Sequence, residues 1–145
     1  MRIEQLLDQR VPYVGPVSGD SMKPLIRPGR DRVVIAPLAP DRVPVTGDVV
    51  LLCAGGVNVL HRVIRTDGRA FTLLGDASVV PEQGVLREQI RGELVELWRD
   101  GKRVDLRGGA YRAYARLMLV CPPARCAARR AVGRLAHVLS KCGRR

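Results

Sequence analysis

The alternation of hydrophobic and polar positions divides the chain into three stretches. Residues 3 to 9 allow one or two helical turns before Pro12 and Pro16 stop the pattern. From there to about residue 106 the pattern predicts strands: Arg32 to Ala36, Asp48 to Cys53, Val57 to Arg65, Ala70 to Leu74 and Ile90 to Arg99 are short runs rich in β-branched residues or Leu. Gly55-Gly56, Asp67-Gly68 and Asp100-Gly101 mark hairpin turns, so the sheet is expected to be largely antiparallel. Five or six short strands in about ninety residues suit a small barrel or coiled sheet, whereas a parallel α/β sheet needs crossover helices that the pattern lacks. After Gly108-Gly109 the period becomes helical. Tyr111, Tyr114, Ala115 and Met118 share one face, Pro122-Pro123 interrupts, and Ala128, Val132, Leu135 and Leu139 continue in a second segment with Arg125, Arg129, Arg130 and Arg134 around it. The expected organisation is a short N-terminal helix over 1–12, a mainly β domain over 13–106, and a basic amphipathic helical tail over 107–145.

Length and composition are consistent with that division. One hundred and forty-five residues make one domain and an appendage, and the 46% hydrophobic share is enough for one core. The net charge of +11 is unevenly placed. Residues 1 to 105 hold 15 Lys or Arg against 14 Asp or Glu, while residues 106 to 145 hold 10 Lys or Arg and no acid. The protein is thus a near-neutral body with a basic tail, and its high pI does not describe the body. The longest stretch without formal charge, between Asp48 and Arg62, contains Gly55, Gly56 and Asn58, so no membrane span is expected. Acids near the N-terminus stand where a secretory leader has its apolar core, which suggests a cytoplasmic protein. Cys53, Cys121, Cys126 and Cys142 contain no C-x-x-C pair, and a disulfide framework is not expected in that compartment. Cys121, Cys126, His137 and Cys142 have zinc-ligand chemistry, but a continuous helix would hold Cys126 and His137 about 16 Å apart along its axis, which argues against a metal there.

Three Gly-Asp pairs punctuate the β body: Ser18-Gly19-Asp20-Ser21-Met22-Lys23-Pro24, Thr46-Gly47-Asp48-Val49-Val50 and Leu74-Gly75-Asp76-Ala77-Ser78. Between the last two lies Val59-Leu60-His61-Arg62-Val63-Ile64, with the only histidine of the body. A serine on a Gly-bounded turn presents its hydroxyl clear of the sheet, where backbone N–H groups can converge on an incoming carbonyl oxygen. A histidine inside an apolar strand needs partners for its ring nitrogens. Each feature alone is common in structural roles; their order is what points to chemistry.

In that order, Val17-Ser18-Gly19-Asp20-Ser21-Met22-Lys23-Pro24, Val33-Val34-Ile35, Gly47-Asp48-Val49-Val50, His61-Arg62-Val63, Gly75-Asp76 and Ile90-Arg91-Gly92-Glu93-Leu94-Val95 resemble the boxes of the serine peptidase superfamily that unites type I signal peptidases with the self-cleaving, LexA-like SOS repressors. The resemblance covers about residues 13 to 106 and is strongest to small, anchorless bacterial members with a short basic extension. It implies a signal-peptidase/LexA-like β-barrel or coiled sheet and a serine endopeptidase needing no metal or cofactor. Ser21 becomes the nucleophile, and His61 the general base where many relatives have lysine. Asp76 becomes the acid that orients His61, and Ser18, Gly19 and Met22 the oxyanion and substrate-binding neighbours. Asp67 is a weaker rival to Asp76, since a turn role accounts for it. The Gly-x-Ser-Met spacing is that of the repressors, whereas Pro24 and His61-Arg62-Val63 are signal-peptidase-like.

A histidine base also makes chemical sense. A lysine must be brought from about 10.4 to near neutrality, roughly 4 kcal/mol of desolvation, before it can accept a proton at pH 7, whereas an ordinary imidazole titrates near 6.5. The expected kcat/KM therefore rises towards neutrality and no longer climbs above pH 8. The twenty residues before Ser21 hold no Ala-Gly or Cys-Gly bond and are too few for a helix-turn-helix, so cleavage of a leader or signal-like peptide in trans is expected, with small residues before the scissile bond implied by the resemblance. The competing reading is an inactive peptidase-fold binding module acting through its tail. For the segment 109–145 an anionic membrane surface ranks ahead of an acidic protein and of nucleic acid, because only Tyr111 and Tyr114 offer stacking. That places the protein in the cytoplasm, peripheral on the inner membrane face.

Overall fold

The computed structural model describes residues 2–120, which are mainly β, and its strands form one antiparallel half-barrel sheet. Helix α1 (Ile3–Asp8) precedes strands β1 (Tyr13–Pro16), β2 (Asp31–Pro37), β3 (Val49–Ala54), β4 (Val57–Thr66), β5 (Ala70–Leu74), β6 (Glu82–Leu86), β7 (Ile90–Arg99) and β8 (Lys102–Val104), and helix α2 (Gly109–Leu119) follows. The sheet order is β1-β2-β7-β3-β4-β5-β6, with β8 paired to β7. Every pairing is antiparallel. The mainly β expectation holds, and the five expected strands are β2, β3, β4, β5 and β7. β1, β6 and β8 are additions. The first part of the basic tail is helical as expected, whereas the segment with Ala128 to Leu139 and the set Cys121, Cys126, His137 and Cys142 lie outside the described residues.

Two hairpins have two-residue loops, Gly55-Gly56 between β3 and β4 and Asp100-Gly101 between β7 and β8, all four residues at positive φ. This is the turn geometry whose twist matches that of the strands. Register shifts at Val34/Ile35, Leu51/Leu52, Val63/Arg65 and Phe71/Leu73 bend the strands, so the sheet coils on itself. Coiling explains the unbroken apolar run of β3. Val49 and Leu51 belong to one core cluster with Leu7, Met22, Ile26, Val33, Ile35, Leu60 and Leu97, while Val50 and Leu52 belong to another with Val63, Phe71, Leu73, Val85 and Ile90. Both faces of β3 are covered, so alternation disappears. Among the described residues no helix is long and apolar enough to cross a membrane.

Asp31 anchors the base of the loop that carries Ser21. Its buried carboxylate accepts from the Arg27 N–H at 2.9 Å, from Arg30 at 2.7 and 2.9 Å, and from Arg99 at 3.1 and 3.2 Å. Burial alone would raise the carboxyl, but these donors outweigh it and hold Asp31 well below the usual carboxylate range. A carboxyl depressed in the folded state contributes stability that is complete above its unfolded value, near pH 4, and is lost as pH falls towards the folded one. Chemical unfolding at pH 6 and pH 3 is expected to show a smaller acid-induced loss in Asp31→Asn than in wild type; equal losses would remove Asp31 from this role.

Candidate active site

The site is assembled by the loop after β1, the middle of β4 and the end of β5. Ser21 lies on the turn that follows β1, between exposed Gly19-Asp20 and the buried side chain of Met22. Met22, Leu25 and Ile26 belong to the first core cluster, so the loop is pinned by burial on the C-terminal side of Ser21. His61 sits on β4, opposite Val50 of β3. Next to it, Arg62 pairs with Leu74 at the end of β5, which brings Gly75 and Asp76 beside the histidine. The Ala77 N–H donates to the Ser21 carbonyl at 2.7 Å and ties the serine turn to this corner.

Gly75 shows how tightly the pieces meet. A Cβ added there would lie 2.4 Å from the Ser21 carbonyl oxygen, 2.5 Å from Ser78 Oγ and 3.0 Å from His61 Nε2. The glycine is required by close approach of a neighbouring backbone, which cannot swing away as a side chain can. Gly75→Ala is expected to cost about 1 to 3 kcal/mol in urea unfolding, because the Ser21 carbonyl and the His61 ring must give way to the methyl group. An unchanged unfolding midpoint in that variant would show that the corner is looser than it looks.

His61 is buried, with 5% of its surface exposed, and its two nitrogens have different surroundings. Nδ1 lies 2.6 Å from Glu82 Oε2. A carboxylate can only accept, so Nδ1 carries the proton and, in the neutral ring, Nε2 keeps its lone pair. Nε2 is buried and has no hydrogen-bond partner among the described residues. It is a proton acceptor held at the corner where Ser21 is tied down.

The carboxylate that His61 meets is that of Glu82, at the start of β6, whereas the one expected there, Asp76, meets Arg62. Asp76 is fully buried and its carboxylate forms a bidentate pair with Arg62, Nε to Oδ1 and Nη2 to Oδ2, both at 2.9 Å. Tyr114 Oη also donates to Oδ2, at 2.6 Å. Arg62, itself 0% exposed, donates through Nη1 to the Gly47 carbonyl at 2.8 Å and to Tyr111 Oη at 3.1 Å. Asp76 thus neutralises a buried guanidinium on the residue that follows the histidine in β4. Glu82 escapes a reading of the sequence because only the pairing of β6 across from Leu73 returns it to the site. Asp67 has the turn role expected of it, accepting from the Arg69 and Ala70 N–H groups.

Ser18, Gly19, Ser21 and Met22 all line one cleft of about 310 Å³, together with Pro16 and Val17 on one side and Asn58, Val59 and Leu60 on the other. Gly19 has φ of 83°, which lets the chain turn into Ser21. Ile3, Tyr13, Ile26, Ile35 and Leu51 complete an uncharged lining. The pairing of β5 begins at Arg62, so among the described strands residues 57 to 60 of β4 pair only with β3. Asn58, Val59 and Leu60 of this stretch line the cleft, and every second residue of an antiparallel strand turns its N–H and C=O groups to the unpaired side. Comparison with protein-family models, curated proteins and solved structures finds no match to the chain.

Proposed function

We propose that this protein is a serine endopeptidase of the signal-peptidase/LexA-like type that cleaves a leader or signal-like peptide in trans. The observation that carries the reading is the buried Nε2 of His61 beside the Ser21 turn, with no hydrogen-bond partner among the described residues, while Nδ1 meets Glu82. Ser21 Oγ attacks the scissile carbonyl while His61 Nε2 takes its proton. Glu82 keeps the ring in the required tautomer and stabilises the imidazolium, and the proton then passes to the leaving amine. Water repeats the sequence on the acyl-enzyme. The Ser21 backbone N–H serves the oxyanion, and the Ser18 hydroxyl on the same wall of the cleft is the second donor.

The substrate lies extended between the Pro16–Gly19 segment and the open edge of β4, adding a strand to the sheet. Small side chains precede its scissile bond, by resemblance to the peptidase family. The enzyme works in the cytoplasm, and the acid-free segment 109–145 brings it to an anionic surface of the inner membrane. Incubating the full chain with a peptide library and reading new termini by mass spectrometry tests the reading. Cleavage after a consistent pair of residues supports it. Absence of cleavage, with no labelling of Ser21 by a fluorophosphonate, would leave a binding module in its place.

A further inference from the structure

Helix α2 reaches the site through two hydroxyls. Tyr114 Oη donates to Asp76 at 2.6 Å, and Tyr111 Oη accepts from Arg62 at 3.1 Å. Both rings lie against the guanidinium, with its central carbon 5.8 Å from the Tyr111 centroid and 5.7 Å from that of Tyr114. The two rings are 6.3 Å apart and tilted, so they act as one lid over the charged pair. The residues beneath the lid are the chain neighbours of the site, since Arg62 follows His61 and Asp76 follows Gly75.

From this we infer that Tyr114, assisted by Tyr111, is a positioning residue for His61, acting through the Arg62–Asp76 pair. The inference rests on the reading of His61 as general base. A fully buried ion pair is favourable only if its remaining donors and acceptors are satisfied, and the tyrosines provide that at the edge of the pair that faces α2. Burial, and then the Asp76 carboxylate, push the Tyr114 phenol far above its ordinary range, so its proton remains available for donation. Without that donor the carboxylate turns towards its other partners and Arg62 follows. Gly75, the chain neighbour of Asp76, lies so close to the imidazole that a Cβ there would come within 3.0 Å of Nε2, so the shift is passed to the corner that holds the ring. Misplacement of a catalytic group by about 1 Å is enough to cost on the order of 100-fold in rate, so a fraction of that displacement has a measurable effect.

The test uses the full chain carrying His137→Gln, so that the remaining histidine signals belong to His61. Tyr114→Phe is expected to remain folded, to lower kcat about tenfold with KM within about twofold of its parent, and to shift the ¹⁵N resonances of the His61 ring. Tyr111→Phe should act in the same direction and more weakly; it takes over the test if Tyr114→Phe fails to fold. A folded variant with unchanged kcat and unchanged His61 resonances overturns the inference, as does a fall in apparent activity that only follows the folded fraction. If the parent cleaves no peptide while the His61 resonances still move, the peptidase reading fails and the positioning role stands.

Discussion

Ser21→Ala is expected to lower peptide hydrolysis by about 10⁴-fold or more while leaving the unfolding midpoint almost unchanged. The substitution removes one oxygen from a partly exposed turn whose position is secured by neighbouring Met22 and by the hydrogen bond from Ala77 to the Ser21 carbonyl. His61→Ala should lose as much, and the double variant little more, because a nucleophile and its base act as a unit and their losses do not add. Glu82→Gln is the sharper member of the series. An amide can still occupy the space, but it cannot stabilise an imidazolium and can favour the wrong tautomer, so a loss of about 10³-fold is expected. Initial rates on one cleaved peptide, each referred to folded protein, measure all four. Activity that survives in Ser21→Ala, or Glu82→Gln indistinguishable from wild type, would dismantle the assignment at that residue.

Asp76→Ala is expected to damage the fold before it affects the chemistry. It strands the Arg62 guanidinium at 0% exposure with its principal counter-charge gone, a loss of about 3 to 5 kcal/mol. That is a large part of the roughly 5 to 15 kcal/mol that keeps a domain folded. Asp76→Asn, which retains one acceptor oxygen, should fold with a smaller loss and keep more activity than Glu82→Gln. Urea unfolding followed alongside hydrolysis separates the two effects. If Asp76→Ala had native stability and lost about 10⁴-fold in rate, Asp76 would be the triad acid after all and Glu82 a bystander.

What the sequence revealed, and what it concealed, follows from the range of the interactions involved. β3, β4, β5 and β7 are legible because their β-branched and Leu-rich runs end at turn residues, which are local signals. β1 is Tyr-Val-Gly-Pro and β6 is Glu-Gln-Gly-Val-Leu; neither has strand composition, and each exists because β2 or β5 offers it an edge. Ser21 and His61 could be singled out from the order of their flanking motifs. The partner of His61 could not, since it depends on register: six residues after Asp76 the chain comes back to the ring, and Glu82 arrives where Asp76 was expected. Arg62 misled for a simpler reason. Arginine is seldom fully buried, so nothing in His61-Arg62-Val63 announces that its charge must be neutralised by Asp76, beyond the nearer Asp67. The spacing of Tyr111 and Tyr114 showed a helix face, but not that their hydroxyls end on this pair.

The half-barrel has a further consequence. A sheet that stops part of the way round exposes edges that invite other chains. Its two terminal strands are poor templates, since β1 ends at Pro16 and β6 is preceded by Pro81 and pairs irregularly with β5. The edge that the proposed peptide would join is the one on β4 at residues 57 to 60, which β5 leaves unpaired and of which Asn58, Val59 and Leu60 line the cleft. An extended peptide whose scissile amide is replaced by an uncleavable isostere would therefore serve as a missing stave. By mass action it should raise the melting temperature with each increment of occupancy, even in Ser21→Ala. Catalytic failure and recognition failure can then be measured on the same inert protein.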